Sequence, residues 1–207
     1  MSSARPSPLA NRVAPDGSLC AVAARGTLMG NRGGRLHRPD GTLGTARWRS
    51  RAWIACRTEF RGRHREVWGE GYSELFFLDE ATALAAGHRP CFECRRAAAL
   101  AFAAAWGTPP PRAAEIDRVL HAERRAPRER VAFAALPAGT IFATADGFHL
   151  RTEAGALRWS FEGYRPARAF AAGETVEAVT PRHVRAALAR GYRPELHPSA
   201  QAQFSAR

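Results

Sequence analysis

The pattern of apolar and polar positions predicts strands and a short helix in the first part of this chain of 207 residues. Over residues 45–57 the two classes of side chain alternate, which is typical of a β-strand with one polar and one apolar face. A second strand is predicted over residues 72–78, and it leads into a short alanine-rich helix. Asp79 is placed as the N-cap of this helix, and Gly87 is placed to end it.

Helical periodicity predicts two longer helices in the middle of the chain, over residues 95–106 and 113–125. In the first of these helices we expect Leu100, Phe102 and Trp106 to be buried. A run of prolines ends it, because proline cannot continue a helix.

Beyond residue 131 the pattern changes to short strand-like segments separated by glycine-containing turns. This spacing indicates a small antiparallel sheet or barrel. An amphipathic helix is predicted over residues 182–190, and Gly191 ends it. The predicted strands cover residues 140–144, 148–152, 157–161 and 175–179.

Basic residues outnumber acidic residues by 31 to 19, which gives a formal net charge of +12. All of these basic residues are arginine. Such an excess favours a polyanionic partner, and we expect nucleic acid, DNA more than RNA.

The arginines of the alternating strand share one face, and the same spacing continues beyond Phe60. We therefore expect a hairpin that presents two rows of positive charge to phosphates. Trp53 lies on the basic face, where it is placed to stack on a base. An ordinary solvated surface is the alternative. The expected nucleic-acid contacts are Arg47, Arg49, Arg51, Arg57, Arg61, Arg63, Arg65 and Trp53.

A glycine-rich segment at residues 30–35 places two arginines beside three glycines. Backbone amides in such a segment can form an anion-binding nest, while a plain turn is the simpler interpretation. The segment lacks the Gly-Lys-Ser/Thr ending of a nucleotide-binding P-loop.

Cys91 and Cys94 form the sole Cys-x-x-Cys pair among the four cysteines of the chain. Two thiols at this spacing, on a turn that leads into a helix, are typical of half a tetrahedral zinc site or of a redox dithiol. Cys56, on the apolar face of the alternating strand, is the third candidate ligand. Three histidines are candidates for the fourth: His37, His64 and His88. We favour His37, because it would bring a separate loop to the metal.

Two stretches around these cysteines resemble the zinc-binding domain at the N-terminus of Ada-type DNA alkylation-repair proteins. Residues 52–60, Ala-Trp-Ile-Ala-Cys-Arg-Thr-Glu-Phe, resemble that family's strand ending in Cys-Arg-Pro-x-Cys. Residues 86–94, Ala-Gly-His-Arg-Pro-Cys-Phe-Glu-Cys, resemble its Ala-Gly-Phe-Arg-Pro-Cys-x-x-Cys. The resemblance covers about residues 45–96. The whole chain also resembles a group of bacterial proteins built on the same zinc knuckle.

The resemblance implies DNA repair, and it places Cys56 where the family accepts a methyl group from a DNA phosphotriester. Cys91 and Cys94 correspond to the family's last pair of zinc ligands. The chain departs from the family at Phe60, which stands where the second zinc-binding cysteine is expected. Three thiolates and a neutral histidine carry less negative charge than four thiolates, so the zinc-bound sulfur is less electron-rich. The departure weakens the expectation of methyl transfer and leaves that of structural zinc intact.

We therefore expect a zinc-binding protein that contacts nucleic acid, with the zinc mainly structural. An enzyme is the first alternative, acting by alkyl transfer onto Cys56 or as a hydrolase or nuclease that uses Asp117, His121 and Glu123. Asp117 and His121 share a helix face at i, i+4, a spacing that also suits an ordinary stabilising pair. A zinc-stabilised protein-interaction module is the second alternative.

The predicted fold class is α+β, with a zinc-stapled strand/helix domain followed by a small antiparallel β-rich module. We expect a flexible N-terminal arm over residues 1–18, an Ada-like zinc-binding domain over 19–108 and a connecting helix over 109–130. The β module, with a C-terminal helix and tail, covers 131–207. No apolar run reaches the length of a membrane span, and the N-terminus lacks the apolar core of a secretory signal. We therefore expect a cytoplasmic location and no membrane partner.

Overall fold

The first part of the chain forms a mixed six-stranded sheet in the computed structural model, which describes residues 6–62 and 66–202. Its strands are β1 (Arg12–Val13), β2 (Leu19–Cys20), β3 (Leu28–Asn31), β4 (Ile54–Arg57), β5 (Leu75–Phe77) and β6 (Arg89–Pro90). They lie in the order β2-β1-β5-β3-β4-β6. The β1–β5 and β4–β6 pairs are parallel, and the other pairs are antiparallel.

The second part forms a six-stranded antiparallel sheet in the order β11-β10-β9-β8-β12-β7. Tight turns connect β8 through β11 in a meander, and the antiparallel sheet predicted from the glycine-containing turns is confirmed. The strands are β7 (Arg130–Ala132), β8 (Ile141–Thr144), β9 (Gly147–Thr152), β10 (Gly155–Ser160), β11 (Gly163–Pro166) and β12 (Thr175–Ala178).

Five α-helices accompany the sheets in the described part of the chain: α1 (Glu80–Ala85), α2 (Arg96–Trp106), α3 (Ala113–Glu123), α4 (Arg182–Ala189) and α5 (Pro198–Ala202). Asp79 caps α1, since its carboxylate accepts a hydrogen bond from the Thr82 amide at 2.9 Å. Gly87 follows the helix with a φ of +80°, the left-handed conformation that glycine adopts without strain. Both predicted ends of this helix are confirmed.

Helix α1 lies at the centre of the molecule, and every one of its residues is buried. Ala81 and Ala85 pack in the core of the second sheet, which includes Ile141, Leu150 and Trp159. Leu84 packs with α2, α3 and α4, and Ala83 packs in the core of the first sheet. A single short helix therefore joins three apolar clusters.

A buried polar network ties the C-terminal segment to this helix. Arg95 donates to both carboxylate oxygens of Glu80, at 2.9 and 2.8 Å. Tyr192 donates its hydroxyl to Glu80 Oε1 at 2.6 Å, and the Glu195 amide donates to Oε2 at 2.8 Å. Four donors on one carboxylate satisfy a buried charge that would otherwise be costly.

The α+β class is confirmed, but several details of the prediction are wrong. The strand predicted over residues 45–57 is confined to β4, and Leu100 is exposed on α2. Residue 18 does not end a free arm, because β1 already belongs to the first sheet and Val13 is fully buried. β7 and β11 were not among the strands that the pattern predicts.

Candidate metal centre

Three cysteine side chains converge beside the start of α2. The sulfurs of Cys56, Cys91 and Cys94 all lie within 4.8 Å of one another. Cys56 belongs to β4, Cys91 follows β6, and Cys94 precedes α2. The parallel pairing of β4 with β6 sets this arrangement, and the Cys91 amide extends it by donating to Ala55 O at 2.9 Å. The structure thus brings together the three cysteines that the sequence analysis selected.

The cysteine cluster favours one thiolate even without a metal. The Cys56 side chain donates a hydrogen bond to Cys91, which lowers the pKa of Cys91 to about 5. The Glu93 amide donates to the same sulfur at 3.4 Å. As the donor in this pair, and as a buried thiol, Cys56 has a raised pKa. Since the thiolate is the form that binds metal, Cys91 is the first ligand ready for it.

The cysteine spacing fits zinc. Zinc–sulfur bonds of about 2.3 Å in a tetrahedron place sulfurs about 3.8 Å apart, which is compatible with the observed separation limit of 4.8 Å. Zinc takes four ligands, and within residues 6–62 and 66–202 this group of candidate ligands contains the three cysteines. A cavity of about 240 Å³, lined by the cysteines and by Tyr72 and Glu74, leaves room beside them for a fourth donor such as water.

The structure does not place His37, the predicted fourth ligand, in the cysteine group. Its Nδ1 lies 2.6 Å from the Ser73 hydroxyl, and its Nε2 lies 3.0 Å from Gly69 O. The ring also stacks on Trp68, with 5.1 Å between the centroids. Both nitrogens are therefore used to hold the 37–43 loop against residues 68–74, away from the cysteine group.

The other two histidine candidates do not supply the fourth ligand in the described structure. His88 is fully buried between Trp53 and Phe77, outside the cysteine group. Burial and the nearby positive charges of Arg32 and Arg124 hold its pKa well below the usual value, so the ring is neutral. His64 lies outside the described residues.

Within the described residues, the arginines at positions 47, 49 and 51 do not form a hairpin with Arg57 and Arg61. They lie in an irregular segment whose backbone is held by the first sheet, since Arg32 O accepts from the amides of Arg49 and Ser50. Their side chains are exposed, as are those of Arg57 and Arg61. Arg63 and Arg65 lie outside the described residues. The basic surface is therefore present without the predicted strand geometry.

Trp53 is not placed to stack on a base, because it is only 7% exposed. The guanidinium of Arg32 lies 3.9 Å from its ring centroid, and that of Arg124 lies 4.2 Å away. Trp48 is the exposed tryptophan of this segment, at 43%. The alternation of side chains along the sequence did not show which of Trp48 and Trp53 is exposed, because residues 45–53 are not a strand.

The candidate hydrolase residues do not form a catalytic group. Asp117 is buried in a bidentate ion pair with Arg89, at 2.8 and 2.9 Å. His121 lies edge-on to Trp48, and Glu123 accepts from His183 Nδ1 at 2.6 Å. Each of the three side chains contacts a different partner, which is typical of residues that stabilise the fold.

The sequence analysis did not select Arg32 and Arg124 as site residues, although both line a cavity of about 640 Å³. Arg32 is part of the glycine-rich segment 30–35, so that segment is the signal that pointed closest to it. The side chain of Arg124 packs over Gly87, where a Cβ would lie 2.6 Å from the arginine side chain. That contact is visible only in three dimensions.

Comparison of the chain with protein-family models, with curated proteins and with solved structures gave no match. None of the helices in the described residues combines the length and apolar character that crossing a membrane requires. The candidate function therefore rests on the residues and their geometry.

Proposed function

We propose that this protein binds one zinc ion through Cys56, Cys91 and Cys94, and that the ion fixes the start of α2 against β4 and β6. The observation that carries the proposal is the convergence of three sulfurs within 4.8 Å, one from β4 and two from the turn between β6 and α2. A cluster of this kind, in which one thiol already has a pKa of about 5, suits a cation that binds thiolates.

A mainly structural role suits the position of the cluster. Cys56 and Cys91 are each 8% exposed, and Cys94 joins the site to α2. Binding would stabilise the folded chain because the unfolded chain does not hold the three thiolates together. The cavity that the cysteines share with Tyr72 and Glu74 would admit a fourth donor to the ion.

The test is the zinc content of purified protein, measured by mass spectrometry of the metal, in wild type and in Cys91→Ser. We expect one zinc per chain in wild type and less than a tenth of that in the variant. Cys20→Ser is the matched control, because Cys20 lies in β2 outside the cluster. Wild-type protein that is folded without metal would refute the proposal.

Nucleic-acid binding is the second candidate function. It is favoured by the net charge of +12 and by the exposed side chains of Arg47, Arg49 and Arg51 beside the exposed Trp48. Such a surface would contact phosphates without reading sequence, while Trp48 would stack on an unpaired base.

The salt dependence of binding tests this second candidate. Each phosphate contact lowers the logarithm of affinity by about 0.7–0.9 per tenfold rise in salt. Replacing Arg49 and Arg51 by Gln should therefore make the slope of log affinity against log salt shallower by the amount that about two phosphate contacts contribute. Replacing the exposed Arg96 and Arg118 by Gln removes the same charge elsewhere and is the control. Equal slopes for both double variants would count against a specific surface.

A further inference from the structure

A second cavity, of about 640 Å³, lies between the two sheets and is distinct from the metal centre. Its walls come from the segment after β1, the end of α1, the segment after α3 and the start of α4. It shares none of its lining residues with the cavity beside the cysteines. Its volume is within the range of sites that enclose small organic ligands.

Buried positive charge lies at the base of this cavity. Arg32 is 2% exposed, and its guanidinium and that of Arg124 lie over the ring of Trp53. Arg32 donates to Gly17 O at 2.8 Å and to His88 Nε2 at 3.4 Å, both of which are neutral acceptors. Arg124 donates to Gly87 O and to Arg51 O, at 2.7 and 2.9 Å.

Arg32, which is buried, and Arg124, which is half-buried, differ from the other buried arginines of the described chain. Arg89 and Arg95 each form a bidentate ion pair with a carboxylate. Within the described residues, Arg32 and Arg124 form no such pair, and Arg124 Nε is buried without a hydrogen-bond partner. Burial lowers the pKa of Arg32 to about 9 and that of Arg124 to about 10, and it outweighs the opposite effect of the carboxylates of Asp16 and Asp117.

The rim of the cavity leaves this positive charge uncompensated. Six arginines and three carboxylates are found among the described lining residues. Glu123 is engaged with His183, Glu129 is paired with Arg185, and Arg128 is paired with Glu177 outside the lining. Four arginines, Arg32, Arg47, Arg124 and Arg182, therefore remain against the single carboxylate of Asp16. Arg47 and Arg182 are exposed at the rim, where a ligand can reach them.

We propose that this cavity binds a phosphorylated small molecule, whose phosphate groups are held by Arg124, Arg47 and Arg182 above the buried charge of Arg32. Guanidinium groups match phosphate oxygens in pairs and remain charged at neutral pH. Trp53 is 7% exposed and already contacts the guanidinium groups of Arg32 and Arg124, so the ligand is recognised by charge rather than by stacking on this ring. Leu19, Leu43 and Pro127 offer apolar surface for the rest of the molecule.

Titration calorimetry of full-length, zinc-loaded protein with pyrophosphate and with ATP tests the site. We expect both to bind wild type, and Arg124→Gln to weaken binding by about tenfold or more, as loss of a charge-assisted hydrogen bond does. Arg182→Gln, a change at an exposed rim residue, should weaken it in the same direction without risk to folding. Arg118→Gln is the matched control, because Arg118 is exposed on α3 and does not line the cavity.

Several results would overturn this inference. One is that neither pyrophosphate nor ATP binds at millimolar concentration. The second is that Arg118→Gln and Arg182→Gln weaken binding equally. The third is that citrate binds more tightly than pyrophosphate. Binding of a 5′-phosphorylated oligonucleotide without binding of pyrophosphate or ATP would assign the surface to nucleic acid instead. Measuring zinc after each titration separates this test from the proposed metal site, since a ligand that only removes zinc would leave the protein metal-free.

Discussion

Buried arginines in this protein fall into two kinds with different expected effects on stability. Arg89 compensates the buried carboxylate of Asp117, and both residues are 7% exposed. Arg32 is more deeply buried, at 2% exposed, but forms no ion pair with a carboxylate within the described residues. Removing one partner of a buried ion pair leaves the other charge buried and uncompensated. Removing an unpaired buried charge leaves no uncompensated charge.

We therefore predict that Arg89→Met lowers the free energy of unfolding by about 3–5 kcal/mol. Arg32→Met should lower it by much less, because it removes a buried charge and leaves Gly17 O as the main unpaired acceptor. Urea unfolding at neutral pH, followed by circular dichroism, measures both values.

The double variant Arg89→Met/Asp117→Leu is the control for this comparison. It removes both charges, so it should be more stable than Arg89→Met alone. If Arg32→Met is as damaging as Arg89→Met, the distinction between the two kinds of arginine does not hold.

At the scale of single residues, spacing predicted the cysteine cluster well and the partners of histidine poorly. Cys91 and Cys94 are three positions apart in the chain, so they must lie close together, and Cys56 lies on a strand that pairs with β6. His37 is held by Ser73 and Gly69, more than thirty residues away. No local pattern indicates which distant hydroxyl or carbonyl a ring nitrogen will meet.

At the scale of elements, local signals predicted helices better than strands. The core of α2, α3 and α4 follows from periodicity and from the stops at their ends, which are properties of the segment itself. A strand also needs a partner. Residues 45–53 alternate correctly, yet no strand of the first sheet pairs with them in the described structure.

The cap of α1 gives a prediction for this element. Asp79 Oδ1 accepts from the amide and the hydroxyl of Thr82, at 2.9 and 2.8 Å, and Oδ2 accepts from the His197 amide at 3.1 Å. We expect Asp79→Ala to lower the free energy of unfolding by about 2 kcal/mol, since it removes a cap and leaves buried donors unpaired. Urea unfolding provides the measurement.

Asp79→Asn serves as the control for the cap. Asparagine keeps an oxygen that can accept from Thr82, so its effect should be clearly smaller than that of alanine. Equal losses for the two variants would mean that the carboxylate charge, rather than the cap, is what the helix requires.

At the scale of the whole molecule, the expected division into a zinc domain and a β module does not describe how the core is built. Leu78 and Ala81 pack in one cluster with Leu150 and Trp159 from the second sheet. The C-terminal segment contacts α1 through Tyr192, whose hydroxyl donates a hydrogen bond to Glu80. Sequence patterns locate segments along the chain, but they carry little information about which distant segments share a core.

This shared core predicts that removal of the zinc ion proposed above affects the whole protein. Cys94 is followed directly by Arg95, whose ion pair with Glu80 reaches α1 and then both sheets. Removing the metal with EDTA should therefore lower the midpoint of thermal unfolding as a single transition, by about 2–4 °C for each kcal/mol lost. Scanning calorimetry of wild type and of Cys20→Ser, with and without EDTA, measures this. Both proteins should shift equally, because Cys20 lies outside the cluster. Two separate transitions, of which EDTA moves only one, would show instead that the second sheet folds independently of the metal.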